Sequence, residues 1–209
     1  VTENLADLLM ERDRVLTLCK MAQDLLDSGR DSKFLKLLEM MKDPRFAQEK
    51  VLVFTEHRDT ANFLTEELER LGFAGQVAQL HGAMDFVERD RQVEFFRKPV
   101  NQGGAKYLIG TDAAGEGVNL QFCWLMVNYD VPWNPARLEQ RMGRIHRYGQ
   151  KKDAVYIANL VAWKTREGNV MKTLLDKMET IRKELGSDKV FDVIGRLFEN
   201  VSLKSYLDA

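Results

Sequence analysis

From Thr2 to about Leu26, apolar residues recur at helical spacing (Leu5, Leu8, Leu9, Leu16, Met21, Leu25), as in a helix with a buried stripe. Thr2 is a suitable N-cap, and Gly29 breaks the run. A second helix is predicted after Asp31 or Ser32, either of which can cap it. Phe34, Leu35, Leu38 and Met41 supply its buried face, and Asp43-Pro44 ends it. The pattern then changes to short, near-continuous apolar runs at Lys50 to Thr55, Gln76 to Leu80, Lys106 to Gly110, Trp124 to Asn128 and Val155 to Val161. Runs apolar at every position suit parallel strands covered on both faces. Amphipathic stretches between them predict crossover helices at about Arg58 to Leu71, with Gly72 as C-cap, Phe86 to Arg97 and Pro135 to Tyr148. After Thr165, a further N-cap, Val170, Met171, Leu174, Leu175, Met178, Ile181 and Leu185 mark a long amphipathic helix ended by Gly186. One more helix and a frayed end are expected from Ser187 onward. No repeat or low-complexity linker interrupts the pattern. The alternation predicts an α/β fold: a parallel sheet covered by helices on both faces, with helical extensions at both ends.

Composition narrows this little. The 209 residues, 44% of them hydrophobic, suffice for one substantial core and hence one domain with helical attachments. A net charge of -1 does not announce nucleic acid, so a basic site has to be local. Cys19 and Cys123 lie far apart in apolar surroundings and are expected to be reduced core thiols of a cytoplasmic protein. No apolar run approaches the roughly 20 residues of a membrane span. The first residue is Val1, so the chain is expected to be an excised piece without a signal peptide.

Local basicity is concentrated between Arg137 and Lys152, where six basic residues face one acid, Glu139. Within this stretch Gln140 to Gln150 reads QRMGRIHRYGQ, on a helix opened by Asn134-Pro135 and closed by Gly149. Arg141, Arg144 and Arg147 recur every three residues, so on a continuous helix their guanidinium groups would fan across one face. Such a fork suits phosphate oxygens, because arginine is always charged and binds bidentately.

The segment resembles motif VI of superfamily 2 helicases, and Gln140, Arg144, His146, Arg147, Gly149 and Gln150 match its Swi/Snf-type form. Arg141 departs from the commoner Swi/Snf pattern. With Gly143 it resembles the wider helicase pattern and the bacterial branch that recycles RNA polymerase. The resemblance implies that Arg144 and Arg147 are catalytic arginine fingers reaching the γ-phosphate of ATP held by a partner lobe. It places Gln140 and Arg141 among the nucleotide-binding residues.

Upstream, IGTDAAGEGVNLQ (Ile109 to Gln121) resembles motif V, in which Thr111 touches a backbone phosphate while Gly115, Gly117 and Asn119 lie near the nucleotide. VLVFTEHRDT (Val51 to Thr60) resembles motif IV, which delivers Thr55 to the crevice beyond its strand. Leu80-His81-Gly82, followed by Glu88-Arg89 and Phe95-Phe96, resembles the helicase element whose His-Gly turn, through His81 and Gly82, meets the nucleic-acid backbone. YDVPWNP (Tyr129 to Pro135) resembles the stretch leading into motif VI, with Trp133 expected in the core. His57 and His146 have no metal-ligand spacing, and no metal is assigned to this chain.

No G-x-x-x-x-G-K-[S/T] phosphate loop occurs, nor a strand-terminal Asp-Glu pair to hold magnesium. The expected unit is therefore the C-terminal RecA-like lobe of an ATP-dependent DNA translocase or helicase. Residues 46–165 would form the lobe, 1–45 an N-terminal helical extension and 166–209 a C-terminal one. ATP and Mg2+ would be held mainly by an N-terminal RecA-like lobe, and the isolated chain would be inactive. Duplex DNA is the expected track and a protein such as RNA polymerase a candidate cargo, with no membrane partner. A degenerate lobe serving as a protein scaffold and an RNA helicase lobe are the alternatives.

Overall fold

The computed structural model describes residues 5–27, 31–112, 118–146, 150, 154–162, 165, 168–173, 176 and 180. In chain order the elements are α1 (Leu5–Asp27), α2 (Ser32–Met41), β1 (Val51–Thr55), α3 (Arg58–Leu68), β2 (Val77–Leu80), α4 (Phe86–Arg97), β3 (Tyr107–Thr111), β4 (Leu125–Asn128), α5 (Pro135–Met142) and β5 (Tyr156–Asn159). The five strands form one parallel sheet in the order β2-β3-β1-β4-β5. Each strand starts and ends within two residues of its sequence-predicted run.

The three central strands β3, β1 and β4 are buried at every position because the sheet is sandwiched. Val51, Val53, Tyr107, Ile109, Leu125 and Val127 pack on one face against Phe34 and Leu37 of α2 and Leu64 and Leu68 of α3. Leu52, Phe54, Leu108 and Met126 pack on the other with Val93 and Phe96 of α4 and with Ile145. Alternate residues of a strand thus feed two cores, and neither face tolerates a polar stripe.

α2 belongs to this lobe, although the sequence pattern grouped it with the N-terminal extension. Asp31 caps it, one carboxylate oxygen accepting from the Phe34 N–H at 2.9 Å while the other accepts from the Tyr129 hydroxyl at 3.0 Å. Burial and the Asp31 carboxylate hold the Tyr129 phenol well above its usual pKa, so it remains a donor. The buried residues of α2 are Phe34, Leu37 and Met41, whereas Leu35 is exposed. α3 runs on into a wider turn, Glu69–Phe73, where Gly72 takes φ +97°, a left-handed conformation that favours glycine. Thr165 caps as predicted, its hydroxyl accepting from the Gly168 N–H at 2.9 Å. Most of the helix expected after it, and everything from Ser187 onward, lies outside the described residues.

α1 departs from expectation. Its predicted buried residues Leu5, Leu8, Leu9, Leu16, Met21 and Leu25 are all exposed. Cys19 is exposed with them and is not a core thiol; only Cys123 is buried. Burial pushes the Cys123 thiol up to about 12, and its Sγ lies 3.3 Å from the carbonyls of Lys50 and Leu125. A thiol reagent at pH 8 is therefore expected to modify Cys19 promptly and Cys123 only on unfolding. Peptide mass mapping that found both modified at the same rate in the native protein would contradict this burial.

Candidate functional site

In an open parallel sheet, ligands bind beyond the carboxyl ends of the strands where the strand order reverses. Here that point lies at β1, flanked by β3 on one side and β4 on the other. Thr55 and Thr111 end β1 and β3 directly opposite each other, and Asn128 ends β4.

Arg141, from the last turn of α5, enters the midst of these strand ends. Its side chain is 2% exposed, and its Nε and Nη2 donate to the two oxygens of Asp112 at 2.5 and 2.9 Å. Nη1 donates to Asn128 Oδ1 at 3.1 Å and to the Asp130 carbonyl at 2.7 Å, and Nη2 reaches Asp130 Oδ1 at 3.5 Å. The guanidinium also lies over the Phe54 ring, 5.5 Å from its centroid. A guanidinium carries five N–H donors, and these five contacts engage them all. Asp130 in turn binds the Thr55 hydroxyl and accepts from the Glu56 N–H at 2.8 Å, while Asn128 Nδ2 donates to Asn159 Oδ1 at 2.8 Å. One network therefore ties α5 to the carboxyl ends of β3, β1, β4 and β5. Sequence placed Arg141 at the nucleotide; the structure commits it to protein groups. Asp112, Asn128 and Asp130 were not singled out from sequence, although a carboxylate just past a buried strand is the counter-charge that a buried arginine requires.

α5 is shorter than predicted. Asn134 caps it, Oδ1 accepting from the Ala136 N–H at 2.9 Å, with Pro135 in the first turn, and it ends at Met142 rather than Tyr148. Gly143 is the C-cap, and isolated turns follow: Arg144 N–H to the Arg141 carbonyl at 3.1 Å, and Ile145 and His146 N–H to the Met142 carbonyl at 3.1 and 2.9 Å. Ile145 is fully buried in the core layer shared with Leu120 and Cys123. The Leu120 N–H donates to the Arg144 carbonyl at 3.3 Å. Gln150 fastens the segment further, donating to the carbonyls of Cys123 and Ile145 at 3.1 and 2.9 Å. Arg144 thus lies on a turn beyond α5, and Arg141 and Arg144 are not carried on one continuous helix. Arg144 is half-buried at a shallow notch that it lines with Phe54, Asp112, Arg137, Gln140 and Arg141. Gln140 is exposed at the rim. Arg147, Gly115 and Gly117 lie outside the described residues.

Of the residues expected to meet nucleic acid, Thr55 and Thr111 are buried. His81 follows β2 and is half-buried, and its Nδ1 has no hydrogen-bond partner. Burial, reinforced by the nearby Arg58 guanidinium, holds its pKa below 6.5. Arg89 donates from Nη2 to the Gly82 carbonyl at 3.3 Å, and its buried Nε is also unpartnered. The His81-Gly82 turn is thus flanked by Arg58 and Arg89, which lie within the motif segments read from sequence but had no role assigned there. Asn119 is exposed, its Oδ1 accepting from the Gln121 N–H at 3.0 Å. Trp133, expected in the core, is half-buried beside Lys33, Glu56 and Asp130 in a separate cleft.

A parallel sheet covered on both faces, with a basic segment at its switch point, defines a RecA-like helicase lobe. The chain belongs to the helicase conserved C-terminal domain family, which matches residues 32–149. It is 40% identical over 156 residues to the uncharacterized ATP-dependent helicase YqhH of Bacillus subtilis, covering 75% of this chain and 26% of that protein. It is 41% identical over 132 residues to the RNA polymerase-associated protein RapA of Vibrio cholerae, covering 62% of this chain and 13% of RapA. The chain therefore spans about a quarter or less of the length of these relatives. The likeness to RapA agrees with the bacterial leaning of Arg141 and Gly143. A crystal structure of the C-terminal part of the Fun30 ATPase domain superposes with a TM-score of 0.61 at 23% identity, covering 89% of this chain and 62% of that one, and so shares the fold. Among the described residues, no helix is long and apolar enough to cross a membrane.

Proposed function

We propose that this chain is the second motor lobe of an ATP-dependent translocase acting on duplex DNA, and that Arg144 and Arg147 supply its arginine fingers. The observation that carries this reading is the position of Arg144. It sits at the rim of the switch-point notch, on a turn pinned by Ile145 and Leu120. Such a fixed cation can stabilise charge that develops on a phosphoryl group without reorganising during the reaction.

A phosphoryl group would meet Arg144 at the mouth of the notch, whose interior is too small to enclose it, and the carboxylate there, Asp112, is already neutralised by Arg141. Among the described residues no group of three or more His, Cys, Asp or Glu is placed to hold an ion, and Asp112 is engaged by Arg141, so no magnesium ligand is assigned to this chain. The triphosphate and its metal are assigned to the N-terminal lobe. This chain's part is to bring Arg144 and Arg147 to the γ-phosphate, with Gln140 and Asn119 at the nucleotide's edge.

On the nucleic-acid side we assign the backbone contact to the His81-Gly82 turn, whose Gly82 is exposed, with the Arg58 and Arg89 guanidinium groups beside it. Thr55 and Thr111 would act from beneath, by shaping the strand ends, because their side chains are buried. The name of RapA makes RNA polymerase a candidate cargo and a bacterial cytoplasm the expected setting.

The test is ATP turnover by this chain alone and joined to its N-terminal lobe. The isolated chain is expected to stay at background, and the joined protein to hydrolyse ATP faster with duplex DNA while displacing no annealed strand. Metal-dependent turnover by the isolated chain would refute the half-site reading; efficient displacement of a long strand would favour a strand-separating helicase.

A further inference from the structure

We infer that Arg141 is the positioning residue of this lobe, a clamp that fixes the Arg144 turn relative to the strand ends beneath it. The inference rests on the reading of Arg144 as a finger and adds a device that holds it. Arg141 cannot itself be a finger in this arrangement, being 2% exposed with its donors engaged by protein groups. Its backbone, however, is bonded directly to the finger turn, the Arg144 N–H donating to the Arg141 carbonyl at 3.1 Å.

Two further features give the clamp its reach. Asp112 directly follows Thr111 and opens the glycine-rich segment that leads to Asn119. Asp130 holds the Thr55 hydroxyl and the Glu56 N–H. Thr55 through Asp130, Thr111 through its neighbour Asp112, and the finger turn therefore converge on one guanidinium. A planar fork pressed on Phe54 allows one orientation of α5 over β3, whereas an ammonium on a flexible stem would allow many. Small displacements matter here, because a shift of about 1 Å in a reacting group can cost about a hundredfold in rate.

The test uses Arg141→Lys and Asp112→Asn in the protein containing both lobes, with Arg144→Ala as comparison. Arg141→Lys is expected to lower DNA-stimulated kcat at least about tenfold while the KM for ATP stays within about threefold, the split that marks lost transition-state positioning. If the lysine variant does not fold, Asp112→Asn carries the same reading with a near-isosteric side chain. The clamp is also read without turnover: amide exchange of residues 107–112 should quicken in Arg141→Lys and keep its wild-type rate in Arg144→Ala. Unchanged exchange in Arg141→Lys overturns the proposal. So does a kcat within about twofold of wild type while Arg144→Ala abolishes turnover. Near-normal turnover in Arg144→Ala would sink the finger reading alone, and the exchange measurement would then decide the clamp.

Discussion

Replacing Arg144 by alanine in the two-lobe protein is expected to cut DNA-stimulated ATP turnover at least about a hundredfold while leaving ATP and DNA affinity near wild type. The direction follows from where the charge is needed. An arginine that meets the γ-phosphate mainly in the transition state contributes to kcat and little to ground-state binding. Fingers of this kind supply roughly 10³ to 10⁵ in rate in related phosphoryl transfers, so a hundredfold loss is a modest minimum. Arg147→Ala should behave alike, and Arg147→Lys should recover little because an ammonium lacks the planar fork. Arg137→Ala is the control. Its guanidinium lies in the same notch, is largely exposed and pairs with Glu56 only at 3.6 Å, so its removal should be much milder. Melting temperatures of the Arg144 and Arg147 variants should stay close to wild type. Near-normal turnover in both alanine variants would remove the finger assignment and favour the scaffold alternative.

Arg141→Met is expected to cost about 3–5 kcal/mol of stability, measured by urea unfolding of the chain. Methionine fills the space of the arginine stem but leaves the Asp112 and Asp130 carboxylates facing each other without their cation. It also strips Asn128 Oδ1 and the Asp130 carbonyl of a donor. The two carboxylates are 21% and 23% exposed, so water compensates only part of the loss. Adding Asp112→Leu should restore much of the stability, since replacing both members of a buried pair with apolar groups is often nearly neutral. The coupling from the double-mutant cycle should reach about 1–3 kcal/mol. Additive losses from the two substitutions would show that Arg141 and Asp112 do not stabilise one another.

The sheet was legible because its signal is local. A strand buried on both faces must be largely apolar, and the five near-continuous runs signal strands without reference to one another, although only β1, β3 and β4 prove buried throughout. Helix ends were less legible. The basic segment reads as helix through Tyr148, yet α5 ends at Met142, where Gly143, a weak helix former, is the C-cap, and Ile145 is buried on the turns that follow. α1 carries a helical apolar period that correctly gives a helix, but period alone does not say whether a stripe is covered, and Cys19 was misplaced with it. The Arg141 network was the least legible part. Its partners come from the ends of β3 and β4, which adjoin α5 only once the sheet has formed. A row of arginines three apart looks the same whether its members face phosphate or a buried aspartate. Arg58 and Arg89 stand in the motif segments read from sequence, but that they flank His81 follows only from how α3 and α4 pack.

The strand order has a consequence for how the chain reaches this structure. β1 is the middle strand of the sheet and the first to be synthesised, but it has no pairing with β2, the next strand to appear. Both wait for β3, which pairs with Val51–Thr55 on one side and Val77–Leu80 on the other. Until Tyr107–Thr111 has left the ribosome, two apolar strands stand without a ladder, and the loops to be closed are long, which slows parallel sheets in general. β3 is thus the keystone of assembly as well as the strand whose end Arg141 grips. Substitutions within it should slow refolding, and β1 exposed in its absence is the segment most prone to pair with another nascent chain.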